Sequence, residues 1–267
     1  MNNDIFTDYE TCHSDIKKQI DDIINGLAPL LQSNFTGAYL GGSMALGSFD
    51  VKTSDIDLTV IINNGLTLSD KIKITSFLLS VNKKPCPLEI TFILREALFS
   101  SQNPLTYMFF CDYWIKTHEK IVLGGEKAQE LFDSIYSDSD NITELKLIKQ
   151  SGIYLYGIPV NELFPDVRND LFWDLLYTQA TESYVESENE FQSAFKVLQL
   201  CRIFAYKKAG EMLSKPKAAE WVLDVLPSSY HPIILSAFNM HYGMSDKISY
   251  TADDALTLKK YVIENIL

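Results

Sequence analysis

The chain has 267 residues, of which 46% are hydrophobic, and its formal net charge is −12 at pH 7. A chain of this length can bury one large core or two modest ones, and its composition excludes an intrinsically disordered protein. The acidic balance argues against a nucleic-acid partner, which requires a basic face, and suits a cationic small molecule, unless the acidity serves solubility alone.

The sequence carries no pattern typical of membrane insertion or secretion. No apolar run approaches the ~20 residues that a membrane span needs. The first ten residues, MNNDIFTDYE, are acidic and lack the basic-then-apolar plan of a secretory signal. The four cysteines have no paired spacing typical of a zinc site or a redox dithiol, which fits a reducing compartment. We therefore expect a cytoplasmic monomer with no membrane partner.

The first half of the chain alternates helix and strand patterns. Apolar residues recur every three or four positions over 14–31, which predicts a helix capped by Ser14. The segment 68–81 predicts a second helix, capped by Ser69. The predicted strands are 36–42 (TGAYLGG), 54–62 (SDIDLTVII) and 87–94 (PLEITFIL).

After residue 165 the strand patterns give way to helical ones. Amphipathic segments follow one another, separated by Gly, Pro or Ser. They cover 170–184, 194–213, 215–226, 232–242 and 252–267. This change of period predicts two domains, an α/β domain over 1–165 and an all-α helical domain over 166–267.

A Gly-Gly-Ser turn and two aspartates stand at a spacing typical of phosphate and metal binding. Asp55 and Asp57 are one residue apart on a predicted strand, so their carboxylates point to the same side, about 7 Å apart along the backbone. Two like charges held together are unfavourable unless a cation lies between them, and hard oxygen ligands suit Mg²⁺. Glycines let the backbone approach phosphates closely, and Ser43 can donate a hydrogen bond there. The stretch lacks the Lys-Ser/Thr ending of a P-loop.

Glu89 offers a third carboxylate on the next predicted strand, on the face opposite Leu88 and Ile90. If the two strands are neighbours in one sheet, Glu89 joins the aspartates. There it can deprotonate a substrate hydroxyl and help to hold the metal. Taken singly, Glu89 and the Asp-x-Asp pair also fit ordinary solvent-facing strand residues. Their coincidence with the Gly-Gly-Ser turn favours a site.

These motifs resemble the minimal nucleotidyltransferase fold, and the similarity extends along most of the chain to the bacterial streptomycin/spectinomycin adenylyltransferases. The segments SDIDL and PLEIT are similar to that family's two active-site strands, and CRIF, AGEMLSK and AAEWVLDVLPSSYHPIIL are similar to its helical half. The resemblance implies a nucleotidyltransferase domain, with a small mixed sheet and helices, followed by a helical bundle that binds the substrate.

The resemblance also implies roles for individual residues. Asp55, Asp57 and Glu89 match the family's magnesium ligands, and Glu89 also matches its catalytic base. The family's nucleotide-binding positions are matched by Gly42, Ser43, Ser54, Arg202 and Lys215. The charges of Arg202 and Lys215 are suitable on independent grounds, because a triphosphate in an acidic protein needs cations besides the metal. Without the resemblance, both would be interpreted as helix-surface residues.

For the antibiotic, the resemblance implies Trp114, Glu188 and Gln192 as substrate-binding residues. A large ring and a carboxylate suit a guanidinium-bearing sugar ring, although Trp114 also fits a core position and Glu188 a solvated charged run. Gln192 is a departure, because the family has an aspartate there, followed by Glu-Arg-Asn, whereas this chain reads FQSAF. Spectinomycin is smaller and depends more on that carboxylate, so its loss predicts a preference for streptomycin.

The sequence therefore predicts a Mg²⁺-dependent enzyme that transfers AMP from ATP to a hydroxyl of an aminoglycoside or aminocyclitol antibiotic and so confers resistance. Two alternatives stay open. The same chemistry can act on another small hydroxylated cation or on a protein side chain, which Gln192 favours. A non-catalytic nucleotide-binding module is the other alternative, and the complete carboxylate set argues against it.

Overall fold

The computed structural model describes residues 6–99, 106–124, 127–134, 141–187 and 189–266. Backbone contacts divide the chain into two compact units, Thr7–Val167 and the chain from Arg168 onward, with Phe6 joining the second. The predicted boundary after residue 165 lies two residues before this division. None of the helices in the described ranges has the length and apolar character that crossing a bilayer requires.

The first unit is built on a mixed sheet. Its strands are β1 (Phe35–Leu40), β2 (Ile56–Ile62), β3 (Leu88–Leu94), β4 (Met108–Cys111) and β5 (Ile153–Gly157). They lie in the order β4-β3-β2-β1-β5. β2 and β3 run parallel, whereas β1 pairs antiparallel with β2 and β5, and β3 pairs antiparallel with β4. The predicted α/β class is confirmed, and the two strands that resemble the family's active-site strands are neighbours.

Two helices of the first unit have the predicted bounds but different caps. The helices are α1 (Ser14–Leu31), α2 (Gly42–Ala45), α3 (Leu68–Val81), α4 (Ile115–Val122), α5 (Ala128–Ser134), α6 (Asn141–Ser151) and α7 (Val160–Leu163). Ser14 and Ser69 were wrong as caps, because both lie inside their helices. The His13 side chain caps α1. Thr67 caps α3 through a reciprocal capping box with Asp70.

Apolar residues pack against both faces of the sheet. On one face, alternate residues of β2 and β3 belong to a core shared with α1 and α3. On the other, Ile61 and Ile93 cluster with Leu145 of α6. Asp57 and Glu89 share this second face, because side chains alternate along a strand. α6 therefore covers one end of the face, and the acidic side chains occupy the other.

In the described part of the chain, the second unit is helical. Its helices are α8 (Asn169–Thr181), α9 (Glu190–Ala209), α10 (Lys215–Val225), α11 (His231–His241) and α12 (Ala252–Ile266). The other four all contact α9. The helix predicted over 194–213 ends earlier, at Ala209, because Gly210 adopts a left-handed conformation with φ of 82° and caps the last turn. The predicted all-α class is confirmed.

His118 makes the stability of the first unit depend on pH. Its ring is fully buried in α4 and stacks on Phe110, with ring centroids 4.5 Å apart. Its Nε2 accepts a hydrogen bond of 3.3 Å from the backbone N–H of Cys111. Burial lowers the pKa of His118 from 6.5 to about 4. The ring is therefore neutral in the folded chain at pH values where the unfolded chain binds a proton.

We expect the free energy of unfolding to fall as the pH is lowered from about 6.5 to about 4, at about 1.4 kcal/mol per pH unit and roughly 3 kcal/mol in total for His118. Urea unfolding at several pH values tests this expectation. His118→Gln keeps an acceptor for the Cys111 N–H. It should reduce the dependence of the free energy of unfolding on pH by the contribution of one proton, about 1.4 kcal/mol per pH unit. His241, whose pKa burial lowers to about 3, keeps its own contribution. An unchanged slope in His118→Gln would contradict the assignment.

Candidate active site

Three carboxylates lie together at one end of the sheet. Asp57 in β2 is directly opposite Glu89 in β3, and Asp55 immediately precedes β2. One carboxylate oxygen of each residue lies within 4.8 Å of the other two, and all three residues are half-buried. The structure thus brings the predicted metal ligands together, although Asp55 stands just before the strand and not within it.

The cluster is suited to a divalent cation. Oxygens bound to one Mg²⁺ at about 2.1 Å lie at most about 4.2 Å apart, so only small side-chain movements are needed to place all three on one ion. Like charges this close raise one another's energy unless a cation neutralises them. No other group of three or more His, Cys, Asp or Glu side chains within the described residues meets the same distance limit.

The glycine turn lies directly against these carboxylates. The Gly41 N–H donates a hydrogen bond of 3.0 Å to the backbone carbonyl of Asp57. Gly42 has φ of +52°, and a Cβ atom added to it would lie 1.7 Å from Asp57 Oδ2. Both its conformation and its surroundings therefore require glycine. The Ser43 hydroxyl in α2 is buried and has no hydrogen-bond partner among the described residues, so it can donate to a ligand.

Ser54 fixes the loop that leads into β2. Its Oγ accepts a hydrogen bond of 3.1 Å from the Asp50 N–H, and its own N–H donates to the Asp50 carbonyl at 2.8 Å. The buried Asp50 carboxylate in turn accepts from the Lys52 N–H and the Thr53 hydroxyl, each at 3.0 Å. This local network sets the direction in which Asp55 enters the cluster. The nucleotide-binding role implied for Ser54 stays a prediction.

Arg202 and Lys215 lie in the second unit and are half-buried. The Arg202 Nε donates a hydrogen bond of 2.9 Å to the carbonyl of Leu213, in the loop before α10. Lys215 is the first residue of α10, and its Nζ lies 4.3 Å from the ring centroid of Phe195. Each cation is therefore held by a neighbour within the helical unit. Their contact with a nucleotide stays a prediction.

The three residues predicted to contact the antibiotic differ in their exposure and their neighbours. Trp114 ends a short helical turn after β4 and is half-buried, and its ring meets Tyr113 edge-on with centroids 5.4 Å apart. Gln192 is exposed in the first turn of α9, where its N–H donates a hydrogen bond of 3.1 Å to Asn189. Glu188 lies outside the described residues. All three substrate roles stay predictions.

The chain is similar to known antibiotic-modifying enzymes. The family model of the aminoglycoside adenylyltransferase C-terminal domain matches residues 162–265. The spectinomycin 9-adenylyltransferase of Campylobacter jejuni is 23% identical over 265 residues, which cover 95% of this chain and 96% of that protein. The aminoglycoside (3'') (9) adenylyltransferase of Shigella flexneri is 22% identical over 259 residues, 95% of each chain. The chain resembles the aminoglycoside adenylyltransferases along nearly its whole length.

A solved structure extends this likeness to the fold. The crystal structure of spectinomycin adenyltransferase AAD(9) from Enterococcus faecialis with ATP and spectinomycin matches with a TM-score of 0.72. The match covers 94% of this chain and 98% of that one, at 20% sequence identity. The family resemblance and the fold class predicted from the sequence are therefore confirmed.

Sequence reasoning missed one residue beside the glycine turn, Glu144 in α6. Its Oε1 accepts a hydrogen bond of 3.2 Å from the hydroxyl of Thr59, and a Cβ atom added to Gly41 would lie 2.4 Å from the same oxygen. No local pattern links Glu144 to residues about a hundred positions earlier. The only available signal in the sequence was Gly41, the first glycine of the pair, because the positive φ at Gly42 explains only the second one.

Proposed function

We propose that this chain is a Mg²⁺-dependent adenylyltransferase that moves AMP from ATP to a hydroxyl of an aminoglycoside or aminocyclitol antibiotic. The observation that carries the proposal is the convergence of Asp55, Asp57 and Glu89 beside the glycine turn. The names of the similar proteins support the acceptor class, and the ATP in the AAD(9) crystal supports the donor.

The residues of the turn and cluster have distinct tasks in this reaction. Gly42 leaves its backbone open to the phosphates, and the Ser43 hydroxyl donates to a phosphate oxygen. The Glu89 carboxylate accepts the proton of the acceptor hydroxyl, whose oxygen forms the new bond to the α-phosphorus while the bond to pyrophosphate breaks. A Mg²⁺ ion held by Asp55, Asp57 and Glu89 would supply charge neutralisation at the reacting oxygens.

Arg202 and Lys215 supply the additional positive charge that a triphosphate needs. The chain carries a net charge of −12, so its surface as a whole repels an anion. Arg202 is hydrogen-bonded to the loop before α10, and Lys215 begins that helix, so both cations lie near the start of α10. Charge-assisted contacts from such residues to phosphate are roughly twice as strong as neutral ones.

Streptomycin is the preferred acceptor over spectinomycin in this proposal. Its guanidinium groups suit the ring of Trp114 and the carboxylate of Glu188. Gln192 presents an exposed amide where the family has an aspartate. A hydrogen bond to a charged partner is worth about 1.5–3 kcal/mol against roughly 1 kcal/mol for a neutral one, so spectinomycin loses more from this replacement.

Pyrophosphate release from MgATP, measured with a panel of aminoglycosides, aminocyclitols and lincosamides, tests the proposal. We expect release with streptomycin and about tenfold less with spectinomycin. Chelation of the metal should stop pyrophosphate release with either drug. Gln192→Asp should raise the spectinomycin rate, whereas the matched variant Gln192→Asn should not.

Three other outcomes would contradict different parts of the proposal. Faster turnover of spectinomycin would contradict the stated preference and leave adenylyl transfer standing. If the chain binds MgATP but releases no pyrophosphate with any of these drugs, the proposed acceptor class is wrong. Another small cation or a protein side chain would then be favoured as the acceptor. If the unaltered chain neither binds MgATP nor releases pyrophosphate, the catalytic proposal is wrong.

A further inference from the structure

Glu144 packs on the glycine turn without belonging to the three-carboxylate cluster. Its Oε1 accepts the Thr59 hydroxyl at 3.2 Å. The same oxygen lies 2.4 Å from the position that a Cβ atom would take on Gly41. The carboxylate therefore rests directly against the backbone of Gly41.

The sheet explains how Glu144 reaches this place. Asp57, Thr59 and Ile61 are alternate residues of β2, so their side chains share one face. Ile61 clusters with Leu145 of α6, while Asp57 belongs to the carboxylate cluster. Thr59 is fully buried between them. Glu144 lies in the first turn of α6 and contacts Thr59.

The two glycines of the turn each lie under a different carboxylate. Gly42 lies against Asp57, where its positive φ already requires glycine. Gly41 has φ of −114°, outside the left-handed region that requires glycine at Gly42. A side chain at Gly41 would require the Glu144 carboxylate to move away from the turn. The turn is held between one carboxylate from β2 and one from α6.

We propose that Glu144 is a positioning residue for nucleotide binding, which holds the Gly41–Gly42 turn against β2 so that the turn faces the phosphates. This role rests on the proposed function. Glu144 acts through its size and its hydrogen bond to Thr59, and its charge is not what the site uses. A further negative charge near a triphosphate opposes nucleotide binding, since like charges repel.

Equilibrium MgATP affinity, measured by calorimetry on the full chain, tests this role without needing an acceptor. Glu144→Ala removes both the bulk and the acceptor and should weaken MgATP binding about tenfold, about the effect of losing one hydrogen bond. Glu144→Gln keeps both and should bind MgATP as the unaltered chain does or more tightly. Thr59→Val, which removes only the donor, should give an intermediate loss. Glu162→Ala, at an exposed position of α7, is the control.

Gly41→Ala provides an independent test through the same contact. Its methyl group would displace the Glu144 carboxylate from the turn, so it should weaken MgATP binding in the unaltered background. Combined with Glu144→Ala, it should add little further loss, because the two residues share one contact. Kinetic measurements should show the losses in KM for ATP, with kcat changed less than about threefold.

The outcomes separate the two proposals. No MgATP binding by the unaltered chain would contradict the proposed function. MgATP binding that Glu144→Ala leaves unchanged, or additive losses in the double variant, would overturn the role of Glu144 alone. Equal collapse of kcat in Glu144→Gln and Glu144→Ala would show that the charge is used, and would also overturn it.

Discussion

Replacing Asp57 with asparagine should abolish adenylyl transfer and leave the fold intact. Asp57 lies opposite Glu89 in the sheet, and its oxygen is within 4.8 Å of both other carboxylates. The amide removes a charged ligand from this cluster. Loss of such a contact costs several kcal/mol of transition-state stabilisation, which is on the order of a thousandfold in rate at about 1.4 kcal/mol per tenfold. Asp55→Asn should have a similar effect.

The same substitution should not destabilise the metal-free protein. It relieves the repulsion among three nearby carboxylates, and the Asp57 backbone carbonyl still accepts the Gly41 N–H. Thermal unfolding without metal should give an equal or higher midpoint. Added Mg²⁺ should raise the midpoint of the unaltered chain and leave that of Asp57→Asn unchanged. Asp22→Asn, an equal charge change at an exposed position of α1, is the control. Near-normal turnover of Asp57→Asn with MgATP would contradict the metal assignment.

Local sequence pattern was enough to place the strands that carry the cluster. Alternation in 54–62 and 87–94 identified which residues of β2 and β3 share a face, because the side-chain period of a strand is fixed by its geometry. Parallel pairing then sets Asp57 beside Glu89. The five helices after residue 165 followed from their apolar period in the same way.

Features that depend on tertiary contacts were not predictable in this way. Several polar residues precede α1 and α3, and the choice of His13 and Thr67 as caps depends on the path by which the chain enters each helix. The hydrogen bond between Thr59 and Glu144 joins residues 85 positions apart. A single sequence contains no signal for such a pair, because both residue types are ordinary at surface positions. The end of α9 could have been predicted from the sequence, since glycine is a common helix terminator and Gly210 follows the last helical residue. The predicted helix nevertheless continued to residue 213.

The second large effect is expected at Glu89. As the general base, this carboxylate should contribute roughly 10²–10⁴-fold to the rate. Glu89→Gln keeps the shape of the side chain and leaves both aspartates in place. The variant should therefore still bind MgATP, while its transfer to the antibiotic should collapse, because the amide cannot accept the hydroxyl proton.

Two measurements on Glu89→Gln separate a base from a metal ligand, since Glu89 is placed to be both. MgATP affinity reports on the metal site, and single-turnover AMP transfer reports on proton removal as well. A base predicts a transfer loss at least a hundredfold larger than any loss of MgATP affinity. Equal losses would make Glu89 chiefly a metal ligand, and undiminished transfer would require another base. Glu96→Gln, at an exposed position just after β3, should alter neither quantity.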